Sequence, residues 1–233
     1  MGEFWYNKTM HVVIAVPKGR EYQDGFVKSL LALLLYEKAS NLYTISISFA
    51  EEPSKDLNKY EDVAEKRRKL LSDALTSGAT HILYLDDDMM FAPNTLRRLM
   101  SHKAPFVSGL GFMRKNPFYP TIFKTTTKRV GNLITEKYNY ILDYPNEPFP
   151  VDGVGMFCCL VDLSIMPKLR TPWFETLGIR KDSKISEDIS FSRRLWEAGV
   201  PILIDPNIKT GHIISKDLVA TESSFKKVMQ ELS

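Results

Sequence analysis

His81-Ile-Leu-Tyr-Leu85 is a short apolar run that is followed directly by Asp86, Asp87 and Asp88. Such a run predicts a buried β-strand that ends in a cluster of acids. Side chains alternate between faces in extended backbone, so we expect Asp86 and Asp88 to point one way and Asp87 the other. Two carboxylates on one side suit a hard divalent cation such as Mg²⁺ or Mn²⁺. A charged turn that merely ends a strand is the alternative interpretation.

The segments before this strand alternate between strand and helix patterns. Repeated βαβ units of this kind predict an α/β fold with a mostly parallel central sheet flanked by helices. In such sheets the functional loops lie beyond the carboxyl ends of the strands, which is where the three aspartates fall. The predicted elements are strands at His11–Val16 and Tyr43–Phe49, and helices at Phe26–Tyr36, with Asp24 as the N-cap, and at Tyr60–Thr76, ending at Gly78.

The second half of the chain begins with a segment of a different character. Residues from about 109 to 150 are rich in aromatics, proline and threonine and have no helical periodicity. We interpret them as an irregular, loop-rich insertion in a single domain of residues 1–233, which either covers the sheet or forms a wall that recognises substrate. Further predicted elements are a short helix at Asn94–His102, a strand at Val154–Val161, a helix at Glu187–Ala198, a strand at Ile202–Ile204, a loop to His212, and a helix near Leu218–Leu232.

The composition excludes several classes of protein. With 233 residues, 44% hydrophobic and 25% charged, the chain has an ordinary globular composition, and a net charge of +3 is too small to indicate nucleic-acid binding. Cys158 and Cys159 are adjacent in an apolar run, so a disulfide framework is not expected. The longest apolar stretch, Leu30–Tyr36, is too short to span a membrane, and residues 1–10 lack a secretory-signal pattern. We therefore expect a cytoplasmic protein with no membrane span.

Common catalytic motifs are missing from the sequence. It contains no G-x-x-x-x-G-K-[ST] phosphate loop, no G-x-S-x-G elbow and no H-E-x-x-H motif, which excludes the enzymes that depend on them. A strand ending in acids then points to a metal-bridged phosphate ester, whose departing oxygen the cation would stabilise.

A second acidic motif begins the predicted helix at Glu187. Glu187 and Asp188 fall in its first turn, where the helix dipole alone would favour negative charge. His212 follows a strand and a glycine, and a lone histidine is more often a surface or core residue than a ligand.

Five motifs, taken together and in order, resemble the GT-A nucleotide-sugar glycosyltransferases, near glycosyltransferase family 2. The resemblance implies a Rossmann-like single domain, a UDP- or GDP-sugar donor, and Mn²⁺ or Mg²⁺ bridging the diphosphate. The motifs are the helix arginines Arg67 and Arg68, the pair Asp86 and Asp88, the strand Val151–Gly155, the helix start Ser186-Glu187-Asp188 with Phe191 and Arg194, and the distal pair Gly211-His212.

The resemblance also implies a role for individual residues. Asp88 would be the principal metal ligand, Asp86 would lie near the ribose and the metal, and His212 would reach the same cation or the diphosphate. The residues implied in binding the nucleotide donor are Val16 and Pro17 beside the base, Arg67 or Arg68, Asp86, Asp87 and Glu51.

On the acceptor side, the resemblance makes Asp188 the general base, and Glu187 is the second candidate catalytic residue. Asp152 and Gly153 match the segment that approaches sugar or acceptor hydroxyls. After the second strand, Glu51-Glu52-Pro53 stands where many relatives carry an aspartate pair and Gly-Ser, so Glu51 is only a candidate acceptor for a base N–H.

The sequence therefore predicts a metal-dependent, inverting glycosyltransferase that acts on an acceptor hydroxyl. The alternatives are a retaining enzyme of the same fold and a non-catalytic nucleotide-sugar-binding module. A sugar-nucleotide pyrophosphorylase would need a glycine-rich loop after the first strand, and Pro17-Lys-Gly-Arg20 is poor in glycine. The acceptor is left open between a glycan, a protein, a lipid-linked sugar and a modified nucleic-acid base.

Overall fold

The first half of the chain alternates strands and helices, as predicted. The computed structural model describes residues 10–19, 21–50, 59–130, 133–180 and 183–232. Its first elements are β1 (His11–Pro17), α1 (Asp24–Ser40), β2 (Thr44–Ala50), α2 (Lys59–Thr76), β3 (His81–Leu85), β4 (Met89–Met90), α3 (Thr95–Ser101) and β5 (Phe106–Leu110).

The second half contains more strands than helices. Its elements are β6 (Ile122–Val130), β7 (Leu133–Tyr140), β8 (Phe149–Val151), β9 (Gly153–Val154), β10 (Cys158–Asp162), a 3₁₀ helix (Leu163–Lys168), β11 (Leu177–Arg180), β12 (Ser183–Ile185), α4 (Glu187–Glu197), β13 (Ile202–Lys209), β14 (Gly211–Ser215), β15 (Leu218–Ala220) and α5 (Glu222–Leu232).

The central sheet has seven strands in the order β2-β1-β3-β10-β5-β13-β8. Strands β2, β1, β3, β5 and β13 run in one direction, while β10 and β8 run in the other. The sheet is therefore mostly parallel, and the predicted α/β class is confirmed.

Helices cover both faces of this sheet because its strands alternate apolar side chains between two cores. In β1, Val13 faces the core that includes Leu70 and Leu71 of α2. Its neighbour Ile14 faces the opposite core, with Phe26 of α1. The inner strands β1, β3, β10 and β5 are buried on both faces, as expected for strands in the middle of a three-layer α/β domain.

Several element boundaries differ from the sequence prediction. Gln23, not Asp24, is the N-cap of α1, and Asp24 lies in the first turn. The predicted strand at 154–161 is two strands, β9 and β10, since the chain turns at Met156 and Phe157. The predicted loop before His212 is largely β13 and β14, and the C-terminal helix begins at Glu222 after β15.

The insertion is more regular than its composition predicts. Strands β6 and β7 form an antiparallel hairpin paired from Phe123↔Tyr140 to Val130↔Leu133, and β6 also pairs with β9. Consecutive threonines suit this hairpin because β-branched side chains fit a pleated surface. Prolines lie outside the paired segment, so they do not interrupt its hydrogen bonds.

Neither cysteine forms a disulfide, and both are buried in the sheet. Among the described residues, no helix combines the length and apolar character needed to cross a membrane.

Candidate active site

The three aspartates follow β3 at the carboxyl end of the sheet. Asp87 and Asp88 form a turn in which the N–H of Met89 donates to the carbonyl of Asp86 (3.2 Å). The expectation of extended backbone through Asp88 was therefore wrong. Because the chain turns here, each of the three carboxylates has a different set of partners.

Asp88 meets His212 because two short strands pair. Strand β14 lies antiparallel to β4, with His212 opposite Met89, and the N–H of Ile213 donates to the carbonyl of Asp88 (2.8 Å). This pairing leaves 3.2 Å between Nε2 of His212 and Oδ2 of Asp88. The structure thus brings together two of the three predicted metal ligands.

A hydrogen bond fixes which nitrogen of the His212 imidazole carries a proton in the neutral ring. Nδ1 lies 2.9 Å from the carbonyl oxygen of Phe112, which only accepts hydrogen bonds, so Nδ1 carries a proton. Nε2 then either carries a second proton and pairs with Asp88 or presents a lone pair beside it. Burial acts to lower the pKa of His212, but the hydrogen bond and charge of Asp88 outweigh it and raise the pKa.

Arg114 is a second cation at the same carboxylate. Its Nη1 lies 2.9 Å from Oδ2 of Asp88, and its side chain is 47% exposed. Burial acts to raise the pKa of Asp88, but His212 and Arg114 outweigh it, so the pKa is lowered. Asp88 is therefore an anion that faces both the imidazole of His212 and the guanidinium of Arg114.

Arg67 holds the first aspartate from helix α2. Its Nη2 lies 3.0 and 3.3 Å from the two carboxylate oxygens of Asp86, and its Nε lies 3.5 Å from Oε1 of Glu187. Arg67 is only 3% exposed and also donates to the carbonyl of Met156. Arg68 instead donates to the carbonyl of Phe174, so Arg67 is the arginine that faces the aspartates.

This arrangement bears on the predicted metal role of Asp86. Burial raises the pKa of Asp86 while Arg67 opposes the rise, and Asp88 adds to it. A cation at Asp86 would have to share its carboxylate with Arg67. The role of Asp86 as a metal ligand therefore stays a prediction.

Asp87 fastens the loop that follows β1. Its Oδ2 accepts the N–H of Gly19 (2.6 Å), and a Cβ at position 19 would approach that oxygen to 3.3 Å. Lys66 of α2 donates to the carbonyl of Lys18 in the same loop (2.8 Å). The predicted base-binding residues Val16 and Pro17 are buried at the end of β1 beside this loop. Glu51 lies outside the described residues.

The two acids at the start of α4 have different surroundings. Glu187 is 6% exposed and faces Arg67; burial raises its pKa, with Asp188 adding to the rise and Arg67 opposing it. Asp188 is half-buried, and its Oδ1 accepts the N–H of Ile189 (2.8 Å) and the hydroxyl of Ser186. The N-cap is Ser186, as the helix-start motif predicts.

Asp152 and Gly153 lie between the hairpin and α4. Asp152 accepts the N–H of Thr125 (2.7 Å) and pairs with Lys124 (3.0 Å). A Cβ at Gly153 would lie 3.3 Å from Ile189 of α4. Asp152 lines a cavity of about 140 Å³ at this position. The residues that line it are different from those that contact Asp86, Asp87 and Asp88.

Comparison with solved structures identifies similar folds. A197 from STIV matches at 15% identity over 92% of both chains, with a TM-score of 0.57. A Drosophila β-1,4-galactosyltransferase 7, solved with manganese, UDP-Gal and xylobiose, matches at 13% identity over 91% of this chain and 71% of that chain, with a TM-score of 0.43. The inositol-1-phosphate CTP transferase from T. maritima matches at 13% identity over 96% of both chains, with a TM-score of 0.42.

At this identity the match to A197 shows similarity of fold alone. The mostly parallel α/β fold predicted from the sequence is confirmed by the strand order of the central sheet. No protein-family model and no curated protein sequence matches the chain.

The residues at the carboxyl end of β3 can be compared with the ligands that a divalent cation prefers. Within the described ranges, no group of three or more histidine, cysteine or acidic residues is arranged to hold a metal. Asp88 and His212 still offer a carboxylate and an imidazole of the types that Mn²⁺ accepts. Mg²⁺ is usually bound through one or two carboxylates plus substrate phosphates, and a cation that arrives with a diphosphate fits this pair in the same way.

Sequence reasoning did not identify Arg114 or Lys66. Arg114 and Lys115 form an exposed basic pair at the start of the insertion. The contact of Arg114 with Asp88 depends on tertiary structure. Lys66 is buried and pairs with Asp62 one helical turn away (2.7 Å), a spacing that indicates only an ordinary helix ion pair.

Proposed function

We propose that this protein is a metal-dependent glycosyltransferase that moves a sugar from a nucleoside-diphosphate sugar to an acceptor hydroxyl with inversion. The observation that carries the proposal is the contact between Asp88 and His212 at the carboxyl end of β3. Ligands bind in this region of open α/β sheets, beyond the ends of the parallel strands.

Asp88 and His212 would hold Mn²⁺ or Mg²⁺ together with the donor diphosphate. The hydrogen bond from Nδ1 to the carbonyl of Phe112 supports this role, because such a partner fixes the tautomer and orients the ring. A cation bound there acts as a Lewis acid that stabilises the departing diphosphate. Arg114 is exposed and can turn from Asp88 to a phosphate oxygen.

Asp86, Asp87 and Arg67 would form the nucleotide side of the site. Arg67 is held in place by Glu187 on one side and Asp86 on the other. Asp87 holds the loop after β1 through Gly19, so that loop has a defined position beside the aspartates. Because Glu187 contacts Arg67 and holds it in place, we assign Glu187 a positioning role rather than a catalytic one.

Asp188 would act as the general base that removes the proton of the acceptor hydroxyl. Its two hydrogen bonds both fall on Oδ1, and they orient the carboxylate at the start of α4. Proton transfer to a positioned base contributes about 10²–10⁴ in rate. A base that assists direct attack on the anomeric carbon inverts its configuration.

A ligand screen tests the donor. Thermal unfolding is measured with UDP, GDP, UDP-sugars and GDP-sugars, each with and without Mn²⁺, because a ligand that binds only the folded state raises its stability. We expect stabilisation that depends on Mn²⁺, followed by release of the nucleoside diphosphate. Stabilisation without release would favour a non-catalytic binding module, and no stabilisation by any of these ligands would refute the proposal.

A further inference from the structure

The cavity between the β6–β7 hairpin and helix α4 is lined by none of the residues that contact Asp86, Asp87 or Asp88 in the site described above. Its volume is about 140 Å³, smaller than the ~300–1,000 Å³ of pockets for drug-sized ligands. One face of the hairpin forms a wall, because Thr125 is paired with Tyr138 and Thr127 with Glu136. Asp152 lines it from the segment before β9, and Arg193 and Trp196 line it from α4.

Trp196 gives this cavity an exposed aromatic surface. It is 69% exposed at the end of α4, whereas tryptophan is highly buried on average. Tyr138 provides a second, half-buried ring at the wall. Exposed aromatic rings beside polar groups suit a ligand that has both an apolar face and hydroxyls.

The charges around the cavity nearly cancel. Arg193 lies 3.7 Å from Glu136, and Lys124 pairs with Asp152 at 3.0 Å. A phosphate here would meet two carboxylates, whereas a neutral polyhydroxyl ligand would find both donors and acceptors. The chemistry therefore favours an uncharged sugar ring over a nucleotide.

The cavity lies along the same helix as the proposed base. Ile189, Arg193 and Trp196 fall at helical spacing on one face of α4, and a Cβ added to Gly153, next to Asp152, would lie 3.3 Å from Ile189. At 1.5 Å per residue, Arg193 and Trp196 lie roughly 7–12 Å along the axis from Asp188. This separation leaves room for a sugar that presents its hydroxyl to Asp188 while the next sugar occupies the cavity.

We propose that this cavity is a subsite for the second sugar unit of an oligosaccharide acceptor, with Trp196 as its stacking surface. The inference rests on the proposed function, because it names the class of acceptor that the glycosyltransferase would use. Binding of an oligosaccharide to the cavity can be measured without the transfer reaction.

The test uses saturation-transfer NMR on the full chain with chitotriose, mannotriose, maltotriose and xylotriose, and with the matching monosaccharides. We expect at least one trisaccharide to bind, its monosaccharide to bind at least tenfold more weakly, and Trp196→Ala to raise the trisaccharide Kd at least tenfold. Trp196→Phe keeps a ring and should stay within a few fold. Leu35→Ala, at an equally exposed α1 position, is the control and should leave binding unchanged.

The two proposals fail differently in this experiment. No trisaccharide binding, or binding that Trp196→Ala leaves unchanged, overturns the subsite even if the wild-type protein binds UDP- or GDP-sugars with Mn²⁺. Trisaccharide binding that depends on Trp196, in a protein that binds no nucleotide sugar, would show that the cavity binds carbohydrate but would overturn both its role as an acceptor subsite and the glycosyltransferase.

Discussion

Nε2 of His212 lies 3.2 Å from Oδ2 of Asp88, although the two residues come from different parts of the chain. The contact depends on β4, a strand of two residues that pairs with β14 directly after the aspartate turn. The same pairing places the N–H of Ile213 on the carbonyl of Asp88. The position of the proposed metal ligands is therefore set by backbone hydrogen bonds rather than by flexible side chains.

The first prediction concerns metal-dependent nucleotide binding. Asp88→Ala should abolish the Mn²⁺-dependent part of the affinity for a nucleoside diphosphate, since it removes the only carboxylate in contact with His212 among the described ion pairs. His212→Ala should weaken it by about tenfold, or 1.4 kcal/mol. Titration calorimetry with and without EDTA measures both effects.

His102 provides a matched control for this experiment. It also pairs with a buried carboxylate, at 2.9 Å from Asp205, but lies at the C-cap of α3. His102→Ala should leave Mn²⁺-dependent binding intact. If Asp88→Ala retains metal-dependent affinity, the assignment of the metal ligands is wrong.

The sequence predicted the acid cluster but not its surroundings, for a physical reason. The apolar run 81–85 is enough to predict a buried strand, and the three aspartates come next in the sequence, so their place at the end of that strand could be predicted as well. The pairing of β4 with β14 is non-local and involves too few residues to leave a pattern. Strand β5 was also missed, because Ser108 and Gly109 interrupt its short apolar run.

The second prediction concerns Arg114, which occupies the carboxylate oxygen proposed to bind the cation. Arg114→Ala should strengthen Mn²⁺ binding to the free protein by a few fold, since exposed ion pairs are worth about 0.2–1 kcal/mol. It should weaken donor binding in the presence of Mn²⁺, because a positive charge near the diphosphate is lost. Manganese EPR measures binding of the cation, and calorimetry measures binding of the donor. Lys115→Ala, which changes the exposed residue next to Arg114, is the control. Equal changes in both affinities would exclude this role.

The third prediction concerns stability. Arg67→Met should destabilise the protein by about 3 kcal/mol at neutral pH, because it leaves Asp86 and Glu187 without their buried cation. Lys69→Met, on the same helix but exposed, removes a surface pair with Asp73 and should cost at most about 1 kcal/mol. Urea unfolding measures both, and similar midpoints for the two variants would contradict the prediction.

The sequence could not choose between Arg67 and Arg68 because adjacent helix positions are only about 100° apart. Both can lie near the boundary of the buried face of α2, and the packing partners decide their directions. Arg67 is drawn to Asp86 and Glu187, whereas Arg68 reaches the carbonyl of Phe174. Tertiary contacts of this kind are not encoded in helical periodicity alone.

The fourth prediction is a pH dependence that arises from Glu187. Its pKa is raised in the folded protein, chiefly by burial, so the folded state binds more protons than the unfolded state above the usual glutamate pKa. This contribution to stability is present at low pH and is lost as pH rises through the folded pKa. The unfolding free energy of Glu187→Gln should therefore fall less than that of the wild type between pH 5 and pH 8. Parallel curves in urea titrations would remove Glu187 as a source of the dependence.

The fifth prediction separates binding from chemistry at the start of α4. Asp188→Asn keeps the size of the side chain and an oxygen for the N–H of Ile189 but removes the base. Transfer to the acceptor should fall by about 10²–10⁴, while affinity for donor and Mn²⁺ stays within a few fold. Single-turnover assays and calorimetry measure the two quantities.

Product stereochemistry supplies an independent check on the same residue. A base at Asp188 that assists direct attack requires the product to have the opposite anomeric configuration to the donor, which NMR of the product reports. Ser192→Ala is a suitable control. In the described part of the chain, the Ser192 hydroxyl donates to the backbone carbonyl of Asp188 and accepts the N–H of Val154, so its removal leaves the Asp188 carboxylate in place. A retained configuration, or near-normal turnover in Asp188→Asn, would exclude Asp188 as the base and favour a retaining mechanism.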